Sequence, residues 1–181
     1  DPECSGLFLF LNTNKKSVTL NPETVTGQAV LKRLLGRVSV LVHDLPNERA
    51  HQLGLDYDTL KTDHSELIVT AVTPYGLTGL YEKYKGYDLN VNAAGGSSFG
   101  NGEPSGKPLA LPYSQASYLA GLVAALATSA AIAFRDASGV GQLVDGSEAE
   151  TLITLLSGYH LPYYIYLGAP GGRAGKRWRF G

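Results

Sequence analysis

The sequence predicts an α/β fold with a mostly parallel β-sheet and flanking helices. Two short apolar runs, 38–42 and 67–72, contain no charged residue, which is typical of strands buried on both faces of a parallel sheet. Apolar residues recur at helical spacing in 22–35, directly before the first run. With a further short strand at 17–20, this order forms a βαβ unit, for which a right-handed crossover is expected.

The first helix has recognisable ends. Asn21 is expected to be its N-cap, Pro22 occupies the first helical position, and Gly36 follows the last apolar residue. Short helices are predicted at 46–53 and 56–61. The second buried strand, 67–72, is ended by Pro74.

The second half continues the alternation. Glycine and proline predict a long loop over 95–108, followed by a small-residue helix over 115–135 and a turn at 138–141. A strand at 142–145 leads into a helix capped by Ser147, with Glu148 and Glu150 in its first turn. No linker or repeat divides the chain, so we predict one Rossmann-like layered α/β structure.

Composition narrows the class of protein. The 181 residues are 44% hydrophobic and 17% charged, as expected of a globular protein. The net charge of −1 provides no field for nucleic acid or anionic membranes, so neither is expected as a partner. The uncharged run 114–134 is long enough to span a bilayer, but its Ala, Gly, Ser and Thr content favours a buried helix.

The single cysteine, Cys4, cannot form an internal disulfide, which fits a reducing compartment. The chain does not open with a signal-peptide pattern. We therefore expect a cytoplasmic protein.

Generic catalytic motifs do not explain the sequence. There is no GxSxG elbow, and the Gly175-Lys176 pair lacks the residues that a P-loop requires on either side. The histidines lack the spacing of metal ligands, so no metal is expected: these are His43, His51, His64 and His160.

Five longer phrases occur in a fixed order and are more specific. The segment 11–20 resembles the phrase lNxNKrSvxLdl of family III CoA-transferases, the formyl-CoA transferase type. Segments 40–55 and 67–79 resemble the phrases DvlvenfxpgxxxrlGl and lIxxsixGfGxxGp. Segment 85–96 resembles xxgyDxxxqAxsGl, and 120–145 resembles aGxxaaxgilaALxxRxxtGxGqxvdvsmxea.

The resemblance implies a fold, substrates and partners. Residues 1–181 are identified as the central part of the large domain of such an enzyme, without its N-terminal start and C-terminal small domain. Members form dimers of interlocked rings and move CoA between an acyl-CoA and a carboxylic acid. We therefore expect coenzyme A or acyl-CoA as substrate, and a homodimer or a heteromer with an active sibling chain.

The resemblance also implies a nucleophilic aspartate. In such enzymes it attacks the acyl-CoA carbonyl, and the anhydride is captured by CoA as an enzyme thioester. Counting from Gly121 and from Gly139 places Ser117 at this position, and no Asp or Glu occurs between Glu103 and Arg135. Serine would need a base, and this segment has no histidine.

Other positions follow from the same resemblance. Related racemases use a Gly-His-Asp phrase, which here reads Gly86-Tyr87-Asp88, so Asp88 is the second catalytic candidate and two-base racemisation is disfavoured. The positions implied for binding CoA are Leu20, Asp44, Arg49, Lys85 and Tyr87. Glu23 and Gln52 stand where cations are common, which weakens a phosphate site.

Three hypotheses follow from the sequence. The first is a degenerate half or subunit of a CoA-transferase, with catalysis in a sibling chain. The second is an active CoA-transferase whose nucleophile the sequence does not identify. The third is an acyl-CoA-binding or scaffolding protein without chemistry.

Overall fold

The computed structural model describes residues 5–155, 160–168 and 173, so Cys4 and Lys176 lie outside the described residues. The chain divides into two compact units, Asp1–Leu34 and Leu35–Gly181. The described helices are α1 Gly6–Leu11, α2 Val25–Leu35, α3 Asn47–Leu53, α4 Tyr57–Asp63, α5 Asp88–Ala94, α6 Ser97–Gly100, α7 Gln115–Ser138, α8 Glu148–Leu155 and α9 His160–Leu167. The described strands are β1 Val40–His43, β2 Ile68–Thr73 and β3 Leu143–Ser147.

The first unit differs from the expectation at two points. Residues 15–20 are irregular, so the predicted strand at 17–20 is wrong, since no described strand pairs with it. Helix α2 begins at Val25 rather than at Pro22. The side chain of Asn21 accepts from the N–H of Glu23 in a turn, and Thr24 Oγ1 accepts from the N–H of Gly27, as an N-cap does.

The second unit contains a parallel sheet of order β1-β2-β3. The sequence prediction of parallel strands at 38–42 and 67–72 is confirmed, with small shifts in the ends. Both Ile68 and Val69 on β2 are fully buried, because β2 is the central strand. The expectation that β1 is buried on both faces is wrong for the described chain, where β1 is an edge strand and Val42 is 64% exposed.

The long helix α7 packs on this sheet through small residues. Ala116, Ala120 and Ala124 recur every four residues and are buried, and Thr70 on β2 hydrogen-bonds to Thr128 at 2.7 Å. By length and composition α7 is also able to cross a membrane. It is not a fully buried helix as expected, because its opposite face is exposed in this chain, at Leu122, Leu126 and Phe134.

The segments before and after α7 agree with the sequence prediction only in part. The loop predicted over 95–108 contains the short helix α6, and α5 before it was not predicted at all. The cap at Ser147 is confirmed, since Ser147 Oγ accepts from the N–H of Glu150 at 3.3 Å at the start of α8. The strand β3 therefore delivers α8 directly to the carboxyl end of the sheet.

The turn between α7 and β3 contains no space for a side chain at Gly141. A Cβ there would overlap the carbonyl oxygen of Leu67, and the N–H of Gly141 already donates to the carbonyl of Ser65 at 2.8 Å. The hydroxyl of Tyr57 donates to the carbonyl of Gly141 at 2.9 Å. Glycine is therefore required for close packing at this turn.

We expect Gly141→Ala to lower the free energy of unfolding by at least about 1–3 kcal/mol, because backbone must move to admit the methyl group. The matched control is Gly121→Ala in α7, where a Cβ would meet nothing within 4 Å. That change should raise stability by about 0.5–1 kcal/mol through helix propensity. Thermal unfolding of both variants tests this, and equal melting temperatures for the two would contradict it.

Candidate active site

The predicted nucleophile position lies in the first turn of a long helix. Ser117 is the third residue of α7, which begins at Gln115 after Ser114 as N-cap. Its neighbour Ala116 is fully buried, whereas Ser117 itself is exposed. The first N–H groups of an α-helix have no partner within the helix, so the surroundings of Ser117 favour an anion.

A carboxylate from another helix contacts Ser117, although the sequence around Ser117 has none. Glu148, the first residue of α8, is half-buried, and its Oε1 accepts a hydrogen bond from Ser117 Oγ at 2.9 Å. The two residues are 31 positions apart in the sequence. Reasoning from the chain neighbours of Ser117 therefore missed this carboxylate.

A buried cluster holds these two helix starts together. It contains Val91 of α5, Ala116 of α7, and Ala149 and Leu152 of α8. Two of its members are the immediate chain neighbours of Ser117 and Glu148. The hydrogen-bonded pair therefore projects from two backbones that share one core.

The Gly86-Tyr87-Asp88 phrase lies near the start of α8. A Cβ on Gly86 would overlap the ring of Pro74, so only glycine fits there. The carbonyl of Pro74 accepts from the N–H of Ala149 at 3.1 Å. Pro74, after β2, thus contacts both the phrase and the backbone next to Glu148.

Around that phrase, backbone groups bind Asn90 and fix the loop, whereas the side chains differ in their exposure to solvent. Asn90 fixes the loop by donating to the carbonyl of Lys85 at 2.9 Å and accepting from the N–H of Tyr87 at 2.6 Å. The residues Lys85 and Tyr87 are exposed, as a solvent-facing binding position requires. Asp88 is half-buried at the start of α5, and its Oδ1 is enclosed without a hydrogen-bond partner among the described residues.

The positions after β1 lie beside a separate pocket. Asp44 is exposed, and Arg49 on α3 donates to Gln52 Oε1 at 3.3 Å. A neighbouring pocket of about 470 Å³ is lined by His43, Asn47, His51, Asp56, Leu77 and Thr78, among other residues. No lysine or arginine of the described chain lines it, so it offers no strong phosphate contact.

Asp145 is a structural carboxylate rather than a free one. Both of its oxygens lie 3.1 Å from the backbone nitrogen of Leu77, which donates to them in the loop after β2. The carbonyl of the same Leu77 accepts from Asn47 Nδ2 at 3.3 Å. This carboxylate therefore ties β3 to the loop beside the pocket.

The two remaining expectations concern Leu20 and metal ions. Leu20 is half-buried in the first unit, and its predicted role in binding CoA stays a prediction. Within residues 5–155, 160–168 and 173, no group of three or more His, Cys, Asp or Glu side chains is arranged to hold a metal ion.

Comparison with known proteins identifies the family. CoA-transferase family III matches residues 1–179. The chain belongs to this family. It is 29% identical over 165 residues to the succinate–glutarate CoA-transferase of Agrobacterium fabrum, covering 91% of this chain and 41% of that protein. It is 33% identical over 147 residues to the succinyl-CoA:(R)-benzylsuccinate CoA-transferase subunit BbsE of Thauera aromatica, covering 80% of this chain and 36% of the relative.

The fold is similar to that of a solved structure. The CAIB/BAIF family protein from Brucella suis superposes with a TM-score of 0.83 at 28% identity, over 90% of this chain and 43% of that one. The family III chain described here spans about two fifths of the length of these relatives. The predicted α/β fold with a parallel sheet and flanking helices is confirmed.

The family phrase also bears on the hydrogen-bonded pair of Ser117 and Glu148. In the phrase that ends vdvsmxea, the residue after the serine is a methionine, and this chain has Glu148 there. The chain therefore lacks a carboxylate at 117 and has one at 148, and the two positions are joined by a hydrogen bond.

The partly buried imidazole of His43 should make the stability of the fold depend on pH. Burial lowers the pKa of His43 below its usual value, against the neighbouring carboxylate of Asp44, which raises it. Nδ1 of His43 accepts from the N–H of Leu45 at 3.2 Å, which requires an unprotonated Nδ1. Because the unfolded chain binds this proton more readily, stability should fall as pH falls through about 6.5.

We expect His43→Asn to show a smaller loss of melting temperature between about pH 7.5 and about pH 5.5 than the unchanged protein. Asparagine keeps an acceptor close to the position of Nδ1 and does not titrate in this range. Thermal unfolding of both proteins at the two pH values measures the difference. An identical loss in both would show that His43 does not contribute.

Proposed function

We propose that the intact protein transfers CoA between an acyl-CoA and a carboxylic acid. Family membership supports this reaction class, and both relatives named above are called CoA-transferases. The observation that favours an active enzyme is the carboxylate of Glu148, 2.9 Å from the hydroxyl at the position of the family nucleophile. The reaction needs such a group, because carboxylates form acyl adducts that exchange in both directions.

This proposal differs from the first hypothesis drawn from the sequence. A degenerate half was inferred because no Asp or Glu occurs between Glu103 and Arg135. Glu148 reaches the site from β3 and α8, outside that interval. The absence of a local carboxylate therefore does not argue for an inactive chain, and we favour the second hypothesis.

Succinyl-CoA is the donor to test first. One relative is named for the acids succinate and glutarate, and the other for succinyl-CoA as donor. We propose a small dicarboxylic acid as acceptor on the same grounds. Lys85 and Arg49 are the cations that we propose for the CoA phosphates.

A non-catalytic subunit is the second candidate. The serine at position 117 and the designation of one relative as a subunit favour it. In that case the protein would bind acyl-CoA without transferring CoA, and activity would appear only with a sibling chain. The two candidates differ in the activity of the protein purified alone.

We expect the purified intact protein to convert succinyl-CoA and an excess of a dicarboxylic acid, such as glutarate, into the new acyl-CoA and succinate. Mass spectrometry of the CoA esters measures this. A reaction without acceptor acid controls for hydrolysis to free CoA. Absence of transfer to every acid in a panel, with activity restored by a co-expressed sibling chain, would support the subunit candidate instead.

We also propose that the protein assembles as a dimer or heteromer. Large apolar side chains are exposed along one face of α7 and along α9, at Leu122, Leu126, Ile165 and Leu167, and a partner is one way to cover them. An obligate interface buries about 2,000–5,000 Å² in total. We expect sedimentation of the intact protein at micromolar concentration to show no monomer, and a stable monomer would contradict this proposal.

A further inference from the structure

We propose that Glu148 is the residue that accepts the acyl group and then CoA, in place of the aspartate that Ser117 replaces. This inference rests on the proposed CoA transfer and assigns its reacting group. Three points converge on it: the predicted position of Ser117 at the family nucleophile, the hydrogen bond from Ser117 Oγ to Glu148 Oε1, and the core shared by Ala116 and Ala149.

The geometry leaves Glu148 able to react. Ser117 binds one carboxylate oxygen, Oε1, and the described residues provide no hydrogen-bond partner for the other, Oε2. The side chain is half-buried, and the adjacent Ala149 and Leu152 are buried in the cluster, so the backbone beneath it is fixed. Ser117 therefore holds one oxygen, and no described hydrogen bond restrains the other.

Glu148 is the only protein group that has to form and break bonds in the transfer. An oxygen of Glu148 attacks the thioester carbonyl of the donor, the C–S bond breaks, and CoA leaves as a thiolate with a mixed anhydride formed. The thiolate then attacks the glutamyl carbonyl, and the donor acid leaves as a carboxylate with one oxygen of Glu148. The acceptor carboxylate attacks the glutamyl thioester, and the reverse sequence returns Glu148 with an oxygen from the acceptor. No net proton, oxidant or reductant is required.

Ser117 is the less suitable nucleophile of the pair. Its hydroxyl would have to lose a proton to Glu148, and carboxylates are weak bases for an aliphatic hydroxyl. The resulting serine ester is also a less reactive acyl donor for the return to CoA than a mixed anhydride. The hydroxyl instead stabilises and orients the carboxylate, as a positioning residue.

The carboxylates of Asp145 and Asp88 make no hydrogen bond to Ser117 among the described residues. Both oxygens of Asp145 accept from the N–H of Leu77. Asp88 has one oxygen, Oδ1, enclosed by protein. Of these groups, only Glu148 contacts the residue at the family nucleophile position.

The first test compares two isosteric variants of the intact protein. Glu148→Gln keeps the size of the side chain and an acceptor for Ser117, so we expect an unchanged melting temperature and a loss of kcat of at least about a thousandfold. Glu150→Gln is the matched control, since Glu150 is an exposed glutamate in the same helix turn, and it should keep full activity. Equal activity of Glu148→Gln and the unchanged protein would overturn the proposal.

The second test labels the residue itself. Incubation with succinyl-CoA followed by hydroxylamine should yield a hydroxamate at Glu148, found by peptide mass spectrometry. Turnover with an acceptor acid labelled with ¹⁸O should place the isotope in the carboxylate of Glu148 and not of Glu150. A purely structural glutamate would show neither label.

The third test moves the carboxylate back. The double variant Ser117→Asp with Glu148→Gln should recover activity over Glu148→Gln alone, and a double variant as inactive as Glu148→Gln would contradict the assignment. Ser117→Ala should lower kcat about tenfold with KM nearly unchanged, whereas Ser117→Thr should keep it. Equal activity of Ser117→Ala and the unchanged protein would refute the positioning role.

The labelling results separate this inference from the proposed function. Transfer to an acid with a label at Ser117 or Asp88, or with no label at Glu148, would overturn the inference and leave the function standing. A thioester at Glu148 without transfer to any acid would support the residue assignment and refute the function. Neither label nor transfer would refute both.

Discussion

The buried contact among Val91, Ala116, Ala149 and Leu152 determines the geometry of the candidate site. It joins the starts of α7 and α8 to α5, at the carboxyl end of the parallel sheet. Burial of a leucine side chain stabilises by about 1.5–3 kcal/mol, whereas a single net hydrogen bond contributes about 0.5–1.5 kcal/mol. The bond between Ser117 and Glu148 is therefore a consequence of this packing and does not hold the helices together.

The small residues in this contact also explain how the side chains of Ser117 and Glu148 meet. Alanine at 116 and 149 lets the two backbones approach, so the side chains beside them meet across the gap. A carboxylate on α8 can therefore reach the start of α7, where the family phrase implies an aspartate. A serine hydroxyl, being smaller than a carboxylate, leaves room for the longer glutamate that approaches it.

The sequence predicted the parts of the fold that depend on local periodicity. The run 67–72 is apolar throughout apart from one threonine and becomes the central strand, and the small-residue run becomes α7 with its start at Gln115 as expected. The strand at 17–20 failed because a strand requires a partner, which periodicity does not reveal. Helix α5 was missed because Gly95 and Gly96 directly follow it and obscure its short pattern.

The candidate site was predictable only in part, for a physical reason. The family phrases predict Ser117 and the Lys85–Asp88 segment as site positions, since such positions are defined along the chain. The carboxylate of Glu148 comes from a residue 31 positions away, and only packing brings it near. One signal was available: the phrase has methionine where this chain has glutamate.

The exposure of the site links the proposed chemistry to the proposed assembly. A mixed anhydride reacts with water, so an enzyme that forms one must exclude water while the acyl group is bound. Ser117 is exposed and Glu148 only half-buried in the chain described here, which provides less than half the length of its relatives. If Glu148 is the acyl acceptor, we propose that the partner chain of the proposed dimer or heteromer excludes water from it, so loss of that partner should divert acyl-CoA from transfer to hydrolysis.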